Sequence, residues 1–447
     1  MTKQLKISNI LAIAAVCLLA FLAYALFQDL DDPVLTLTPD TGRASLALPL
    51  TLTVTDATSP VRRISVNVRL GSRLIPLLDK TFQDEAKSRR ETFSLKSTGL
   101  KDGAVELEIA AVDASLGNFG RGNASRRTIP LVIDSIPPAI TIKTPPPNVR
   151  RGGSGCILYS VSKAVSQTGI KAGDLFFPAF RQASGDYICF FAFPYYLQIR
   201  DFTPQLVAVD LAGNTRIDPL PVARLSRDFK SDTLTLSQNF LSHKKAEFST
   251  VVPGEMSDIE RFLQINSRIR RENARALMEI GKDTASDASW KGSFLRLPRA
   301  ASKAGFADFR TYLWQGEKVD EQFHLGLDLA SVAQAPVPAA NSGRVVFAGY
   351  LGIYGNIVVI DHGLGLQSLY SHLSSYSVTA GQAVSRGDII GATGATGMAA
   401  GDHLHFGILV SGLEVTPLEW LDAHWIHDNI TERVRTAGGS LPDVSGE

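Results

Sequence analysis

The stretch Gly401-Asp402-His403-Leu404-His405-Phe406-Gly407 alternates strictly between polar and apolar residues. A distant partner, Phe323-His324-Leu325-Gly326-Leu327-Asp328-Leu329, alternates in the same way. A period of two residues is typical of a β-strand with one buried face, so each stretch presents its polar side chains on one side. We therefore expect two strands, whose polar faces carry His324, Gly326 and Asp328 in one and His403, His405 and Gly407 in the other.

These polar faces offer a chemically sensible set of zinc ligands. Zinc binds imidazole nitrogen and carboxylate oxygen in tetrahedral geometry, and catalytic sites keep one position for water. Four candidates are available for three protein ligands, so the fourth is free for proton transfer. Residues four apart on an extended strand are about 13 Å apart, so we expect the chain to bend near Gly326. Non-haem iron oxygenases also use two histidines and a carboxylate, but typically with the spacing His-x-Asp.

The region from about Gly292 to Trp420 resembles the lysostaphin-type (LytM-like) zinc endopeptidases of bacterial cell walls. The resemblance is carried, in order, by His324-x-x-x-Asp328, Gly355-Asn356, Ile360-Asp361-His362-Gly363, Ser371-His372-Leu373, the glycine-punctuated run 378–397 and His403-x-His405. It implies that His324, Asp328 and His405 bind one zinc ion per chain and that His372 and His403 are catalytic. Which of these two is the general base stays open.

Two features depart from the family pattern. Asp402 stands where the family often has proline, and no tyrosine just upstream of His324 matches the one that assists some relatives. Asp361 is a further candidate, as an acceptor that orients one of the histidines. The isolated histidines His243, His424 and His427 are interpreted as structural, and His362 as stabilising a turn.

The resemblance implies a metalloendopeptidase that hydrolyses peptide bonds in peptidoglycan stem peptides or cross-links. The alternative is a catalytically silent relative that binds or activates another wall hydrolase. Such relatives normally lose ligands, whereas this sequence keeps all five side chains. The formal net charge of +1 gives no general argument for a nucleic-acid partner.

The N-terminus predicts a single-pass membrane anchor over residues 1–31. The run Ile10–Phe27 is uncharged and corresponds to roughly 27 Å of helix, close to the thickness of the bilayer core. Lys3 and Lys6 precede it and acidic residues follow, so the later domains are expected in the periplasm or extracytoplasmic space, anchored to the cytoplasmic (inner) membrane. A signal peptide cleaved after Ala23-Tyr24-Ala25 is the alternative.

The fold is predicted to be mostly β, and residues 32–137 and 138–225 are expected to form two immunoglobulin-like β-sandwiches. Short alternating strands indicate the first, and a repeat supports the second: Ala111-Val112-Asp113 with Gly117-Asn118 recurs as Ala208-Val209-Asp210 with Gly213-Asn214. This motif most simply makes a turn, although calcium binding by Asp113 or Asp210 is an alternative. Cys156 and Cys189 could form a disulfide or be two small buried residues.

Residues 226–290 are predicted to be a helical connector. Ser257-Asp258-Ile259-Glu260 matches a capping box, and apolar residues then recur at helical spacing as far as Gly281. Residues 291–435 are expected to form the all-β peptidase domain, and 436–447 a disordered tail. The sandwiches are interpreted as a spacer towards the wall, or as a docking surface for envelope or division proteins.

Overall fold

The computed structural model describes residues 2–27, 29–116 and 120–441, and the chain divides into two compact units. The first comprises Met1–Pro138, Lys163–Ser166 and Val209–Thr215. The second comprises Ala139–Ser162, Gln167–Ala208 and Arg216–Glu447. Gly117 and Asn118 of the predicted repeat lie outside the described residues, as do residues 442–447 of the predicted tail.

The N-terminal segment forms helix α1 (Thr2–Phe27). Over the residues that the structure describes, no helix combines the length and the apolar character that crossing a membrane requires. The membrane anchor over residues 1–31 stays a prediction.

The first unit contains two β-sheets that enclose one core. One sheet has the order β1-β3-β6, formed by Val34–Thr38, Pro49–Thr55 and Ser88–Ser94. The other has the order β2-β8-β7-β4-β5, in which β2 is Arg43–Ala44, β4 Val61–Leu70, β5 Arg73–Thr81, β7 Gly103–Asp113 and β8 Ala124–Ile133. Leu52 and Val54 of the first sheet share a core with Val66 and Leu107 of the second. This is a β-sandwich, and its assignment as immunoglobulin-like stays a prediction.

The region that follows forms two four-stranded sheets. The order β14-β15-β11-β9 uses Phe180–Arg181, Tyr187–Ala192, Ser154–Val161 and Ile140–Ile142. The order β13-β12-β16-β17 uses Leu175–Pro178, Val165–Ala172, Gln205–Asp210 and Thr215–Pro219. A short parallel pair joins β10 (Asn148–Arg150) to β18 (Ala223–Leu225). Phe177, Phe190 and Phe191 are fully buried, as expected for core aromatic residues.

Cys156 and Cys189 are free, buried thiols in this structure. The pairing of β11 with β15 places Cys156 opposite Phe190 and Ile157 opposite Cys189. Because neighbouring residues of a strand point to opposite faces, the two thiols leave the sheet on opposite sides. The alternative of two small buried residues is therefore the one that the structure supports.

The predicted connector contains a strand as well as helices. Strand β19 (Ser231–Thr235) is followed by α2 (Gln238–Phe248), α3 (Asp258–Gln264), a π-helical turn at Ile265–Ile269 and α4 (Arg270–Ile280). The capping box is confirmed, because Ser257 Oγ accepts from the Glu260 amide while the Glu260 carboxylate accepts from the Ser257 amide. The sequence analysis did not predict β19, which pairs in parallel with β21 (Asp308–Trp314) and lies in the order β19-β21-β22.

An eight-stranded sheet forms the centre of the C-terminal region. Its order is β20-β23-β31-β27-β26-β25-β29, and β32 also pairs with β31. The strands are β20 Ala301–Ala304, β23 Leu327–Ala330, β25 Gly343–Tyr350, β26 Asn356–Asp361, β27 Leu366–Leu373, β29 Ala383–Val384, β31 Leu404–Val410 and β32 Leu413–Val415. Strand β22 is Glu317–His324, and a small sheet has the order β24-β30-β28, from Pro336–Pro338, Ile389–Ala392 and Ser375–Tyr376. Short helices α5 (Pro417–Trp420), α6 (Ala423–Ile426) and α7 (Glu432–Thr436) follow.

One hydrophobic core includes residues of both 149–220 and 290–434. Its centre is Trp420, which is fully buried and lies with its ring 5.7 Å from that of Phe190 and 5.8 Å from that of Trp290. The strands that carry the candidate site are therefore braced by side chains that come from well before the peptidase-like segment.

Candidate metal centre

The candidate site lies where three neighbouring strands converge. Strand β22 ends at His324, the chain bends at Gly326, and β23 then carries Asp328. The structure thus has the bend that the spacing of His324 and Asp328 predicted. Antiparallel pairing of β23 with β31 sets Asp328 directly opposite His405, and β27 pairs with the other edge of β31. Side chains from distant segments therefore meet on one face of the sheet.

Three potential ligand atoms meet at short range. His324 Nε2 lies 2.8 Å from Asp328 Oδ1 and 2.9 Å from His405 Nδ1, and the last two atoms are 3.0 Å apart. A tetrahedral zinc ion with bonds of 2.0–2.1 Å holds its ligand atoms ~3.3 Å apart, so a spread of a few tenths of an ångström would seat the ion.

The chemistry of this donor set also fits a cation. His324 Nδ1 donates to the carbonyl of Gly305 at 2.7 Å, which leaves a lone pair on His324 Nε2. That lone pair faces the Asp328 carboxylate and His405 Nδ1, so at most one proton is shared among three atoms. A metal ion satisfies all three at once, because each can act as a ligand.

The protonation states match those that a metal requires. Burial favours the neutral acid, yet hydrogen bonds from His324, His403 and His405 hold the pKa of the Asp328 carboxyl far below its usual value. Burial lowers the pKa of His405 to about 4. An ionised carboxylate and a neutral imidazole are the forms that bind zinc.

His372 and His403 lie beside the three candidate ligands. The ring of His372 is 4.9 Å from that of His403 and 5.7 Å from that of His405. Each anchors Nδ1 on a backbone carbonyl, His372 on Thr396 at 2.8 Å and His403 on Gly401 at 2.7 Å. His372 Nε2 is therefore available to exchange a proton, whereas His403 Nε2 lies 3.4 Å from Asp328 Oδ1. The structure brings together all five side chains that the sequence analysis selected.

Backbone strain positions His372. Its neighbour Ser371 is paired with His405, so simple alternation along β27 would direct the next side chain to the other face. His372 instead adopts a φ of 63°, a left-handed conformation that non-glycine residues rarely take. This local departure from extended geometry turns the imidazole towards the other histidines.

The two imidazoles have opposite pKa shifts. Burial, together with the neighbouring histidines His405 and His403, lowers the pKa of His372 well below its usual value. Burial opposes the charged form of His403 as well, but hydrogen bonding to Asp328 raises its pKa overall. Pairs of titratable groups whose environments separate their pKa values are typical of acid–base sites.

Arg310 is a site residue that the sequence analysis missed. Its Nη2 lies 3.1 Å from Asp328 Oδ2, the carboxylate oxygen that does not face the histidines. Arg310 belongs to β21, whose pairing with β22 runs from Asp308 opposite His324. No local motif marks this arginine, because its role follows only from the pairing of β21 with β22.

Gly326, where the sequence predicted the bend, contributes to the site through its small size. A β-carbon here would lie 2.5 Å from His405 Nε2 and 2.7 Å from the Phe406 carbonyl oxygen. The alternation of the sequence had placed Gly326 on the polar face with His324 and Asp328. The structure shows that a β-carbon at this position would collide with the imidazole ring of a candidate ligand.

The five side chains open on a cavity of about 600 Å³. One wall comes from residues 398–403, and another from Arg310, Tyr312 and Phe323. The segment predicted as a connector supplies a further wall through Leu234, Phe240 and Phe262. The cavity is large enough for several residues of an extended peptide, and both charged and apolar groups line it.

The proposed role of Asp361 is wrong. Its carboxylate accepts from the backbone amides of Ala285 and Gly363, so it stabilises a turn and orients no site histidine. His362 is fully buried between the Ser342 carbonyl and the Ser368 hydroxyl, which agrees with a structural role. His243, His424 and His427 are exposed.

Comparison with known proteins finds a family match over the segment that carries the candidate site. Residues 322–417 match peptidase family M23. The chain contains an M23 peptidase domain. The DD-carboxypeptidase/endopeptidase Mpg of Neisseria meningitidis serogroup B is 40% identical over 97 residues, which are 22% of this chain and 22% of that protein. The peptidoglycan DD-endopeptidase ShyA of Vibrio cholerae is 41% identical over 96 residues, again 22% of each chain.

Two other matches cover a larger share of this chain. The murein hydrolase activator NlpD of Salmonella dublin is 34% identical over 132 residues, 28% of this chain and 35% of that protein. A solved putative peptidase M23 from Pseudomonas aeruginosa is 20% identical, with a TM-score of 0.41, and the match covers 63% of this chain and 97% of that one. The chain spans about a fifth of the length of the first curated relatives that it matches.

Proposed function

We propose that this protein is a zinc-dependent endopeptidase that hydrolyses peptide bonds in peptidoglycan stem peptides or cross-links. One observation carries the proposal: His324, Asp328 and His405 present three ligand atoms within 3.0 Å of one another, beside two further histidines in the same cavity. Neither a core histidine nor a surface ion pair requires such a group.

His324 Nε2, Asp328 and His405 Nδ1 would hold the ion. When bound, zinc polarises the carbonyl of the scissile bond and lowers the pKa of its water towards 7. Arg310 pairs with the second oxygen of Asp328 and so fixes the carboxylate that faces the two histidines. Outer partners of this kind orient metal ligands and tune their charge.

His372 and His403 supply the proton transfers. Because each directs Nδ1–H to a backbone carbonyl, each presents Nε2 to the site, and His403 Nε2 also lies 3.4 Å from Asp328 Oδ1. One accepts the proton of the attacking water, and the other donates to the developing oxyanion or the leaving amine. His372 is buried, which limits the access of bulk water to its proton.

The names of the relatives support peptidoglycan as the substrate class. Of two relatives that match the M23 domain at about 40% identity, one is named as a DD-carboxypeptidase/endopeptidase and the other as a peptidoglycan DD-endopeptidase. A peptidoglycan hydrolase must act outside the cytoplasmic membrane, so we also propose an extracytoplasmic location for the M23 domain. The predicted N-terminal anchor is compatible with this location but is not required by it.

A regulatory role is the second candidate, because one relative is named as a murein hydrolase activator. In that case the M23 domain would bind or activate another wall hydrolase without cutting. The presence of all three candidate ligands and both additional histidines supports the enzyme instead, since a binding module has no need of a proton-transfer pair.

The test uses the purified full-length chain and murein sacculi. We expect about one zinc ion per chain by elemental analysis, and release of cross-linked stem peptides detected by mass spectrometry. His324→Ala should lose both zinc and release, whereas His372→Ala and His403→Ala should retain zinc but lose at least 100-fold in rate. His424→Ala, at a fully exposed side chain, is the matched control and should match the wild type. Zinc-loaded wild type that releases no peptide from any sacculus would favour the regulator.

A further inference from the structure

Three buried carboxylates lie close together in the first unit. They belong to a part of the sequence that precedes the M23 domain. Asp29, Asp56 and Asp113 each offer a carboxylate oxygen, and these oxygens lie within 4.8 Å of one another. Asp29 and Asp56 are 6% exposed and Asp113 is fully buried. We propose that these residues form a calcium site that stabilises the first β-sandwich.

Two oxygens in the cluster are buried without a donor. Asp29 Oδ1 accepts from the Asp31 amide, and Asp56 Oδ1 accepts from the amides of Thr58 and Ser59 at 2.9 and 2.7 Å. The Oδ2 atoms of Asp29 and Asp56 are buried from water and have no hydrogen-bond partner. A buried carboxylate oxygen without a partner is costly, and a coordinated cation removes that cost.

The cluster also lacks a basic partner. Among the residues that the structure describes, no lysine, arginine or histidine forms an ion pair with Asp29, Asp56 or Asp113. Asp113 is held instead by neutral donors, namely the amides of Ser115 and Asn123 and the side-chain amide of Asn123. Buried charges in proteins are normally paired or bound to metals, so three neighbouring carboxylates call for a cation.

The same arrangement of an aspartate and an asparagine occurs a second time in the chain, where a lysine side chain supplies the positive charge. Asn214 donates its side-chain amide to Asp210 Oδ2 and to the Asp134 carbonyl, as Asn123 does to Asp113 Oδ2 and the Asp29 carbonyl. In both copies the aspartate amide donates to the asparagine carbonyl, at 3.1 Å for Asp113 and 3.0 Å for Asp210. The structural partner of Gly213-Asn214 is thus Gly122-Asn123, whereas the sequence repeat had suggested Gly117-Asn118.

Lys163 supplies the positive charge in this second copy. Its Nζ lies 2.8 Å from Asp134 Oδ2 and 3.3 Å from Asp210 Oδ2, and it also donates to the Ile136 carbonyl. The alternative of calcium binding at Asp210 is therefore wrong, because an ammonium group already occupies the place of an ion.

Strand register identifies the residue of the first copy that stands in the place of this lysine. Val34 pairs with Thr55 as Ile140 pairs with Val161, so Asp56-Ala57 corresponds to Ser162-Lys163. The first copy has a third carboxylate and an alanine where the second has a serine and the ammonium donor. The exchange adds one negative charge and removes one positive charge, which an external divalent cation would balance.

The chemistry of the ligands selects the ion. Among the described residues, the potential ligands of this cluster are carboxylates, and neither a cysteine nor a histidine belongs to it. Carboxylate oxygens are hard ligands, which favour Ca²⁺ over Zn²⁺. Mg²⁺ demands shorter bonds and near-ideal octahedral geometry and retains its waters, which suits a buried site with three fixed carboxylates less well.

The experiment is a titration of the full-length, zinc-loaded chain, freed of calcium, with CaCl₂ alone and with MgCl₂ alone. We expect one Ca²⁺ per chain in calorimetry, with a Kd of about 0.1–1 mM, the range of extracellular calcium modules. With 10 mM Ca²⁺, one thermal transition should rise by roughly 5–15 °C, while the zinc content stays unchanged.

Two variants and a matched control decide between a site and a passive acidic cluster. Asp56→Asn should weaken Ca²⁺ binding at least tenfold. Asp210→Asn, which changes the counterpart of Asp113 in the copy with the lysine, should bind Ca²⁺ as the wild type does. The double change Asp56→Ser with Ala57→Lys should abolish the calcium response while the chain still folds in its absence.

Three results would overturn the proposal. They are a wild type that gives no binding heat and no thermal shift up to 10 mM Ca²⁺, an equal response to Mg²⁺, and wild-type affinity in the double variant. The first two results are measured on the wild type, so they test the proposal even if Asp56→Asn does not fold.

Discussion

Replacing Gly326 by alanine should remove zinc binding without touching a ligand. The added β-carbon would lie 2.5 Å from His405 Nε2 and 2.6 Å from His405 Cε1. The third close atom is the Phe406 carbonyl oxygen at 2.7 Å, which belongs to the backbone of the central sheet. The imidazole is a side chain whereas the carbonyl is part of the backbone, so we expect His405 to give way.

The size of the displacement sets the size of the effect. To restore the 3.4 Å of ordinary contact, the ring must move by about 0.9 Å from its present place. Metal–ligand distances tolerate deviations of only about 0.2 Å, so His405 Nδ1 would leave the coordination sphere. Losing one of three protein ligands should weaken zinc binding at least 100-fold, which is about 2.8 kcal/mol.

Competition with a calibrated zinc chelator measures this affinity, and far-ultraviolet circular dichroism verifies the fold. The matched control is Gly401→Ala, since a β-carbon there meets no atom within 4 Å and the glycine lies close to His403 in sequence. Wild-type zinc affinity in Gly326→Ala would refute the steric reasoning. Equal losses in the two variants would show that the turns and not the imidazole contact determine binding.

Three further predictions follow from single contacts. Arg310→Met should lower zinc affinity by about 10- to 100-fold, measured by the same competition, because the outer oxygen of Asp328 loses its partner. Burial lowers the pKa of His362 to about 4, so the unfolded chain takes up its proton first as the pH falls. The stability that neutral His362 contributes is therefore complete above pH 6.5 and is lost between pH 6.5 and 4, by up to about 3 kcal/mol, and His362→Gln should show a smaller acid loss in urea unfolding. Trp420→Ala should cost about 3–5 kcal/mol of unfolding free energy in urea, and Trp420→Phe clearly less, because Trp420 packs between Phe190 and Trp290.

The sequence was sufficient for what local patterns encode. The period-two alternation placed His324 and Asp328 on one face of their strands and His403 and His405 on one face of theirs, and the His-to-Asp spacing required the bend at Gly326. The capping box at Ser257 was equally readable, because both of its hydrogen bonds join residues three apart. Such features depend on neighbours in the chain, and neighbours are visible in a sequence.

Other features depended on which strands become neighbours. Arg310 reaches Asp328 only because β21 pairs with β22, and β19 was missed because its partner lies some 75 residues further on. Cys156 and Cys189 remain apart because of a one-residue offset in register, which no count of cysteines reveals.

By itself the sequence determined the chemistry available to this protein: five side chains suited to a metal and its proton transfers, and strands with polar faces to carry them. Tertiary structure alone decided the left-handed turn at His372, the contact of Gly326 with His405, and whether a cluster of aspartates meets a lysine or lacks one. The physical reason is that alternation and capping are fixed by energies within a few residues. Close approach, burial and charge balance are fixed by strand pairing over hundreds of residues.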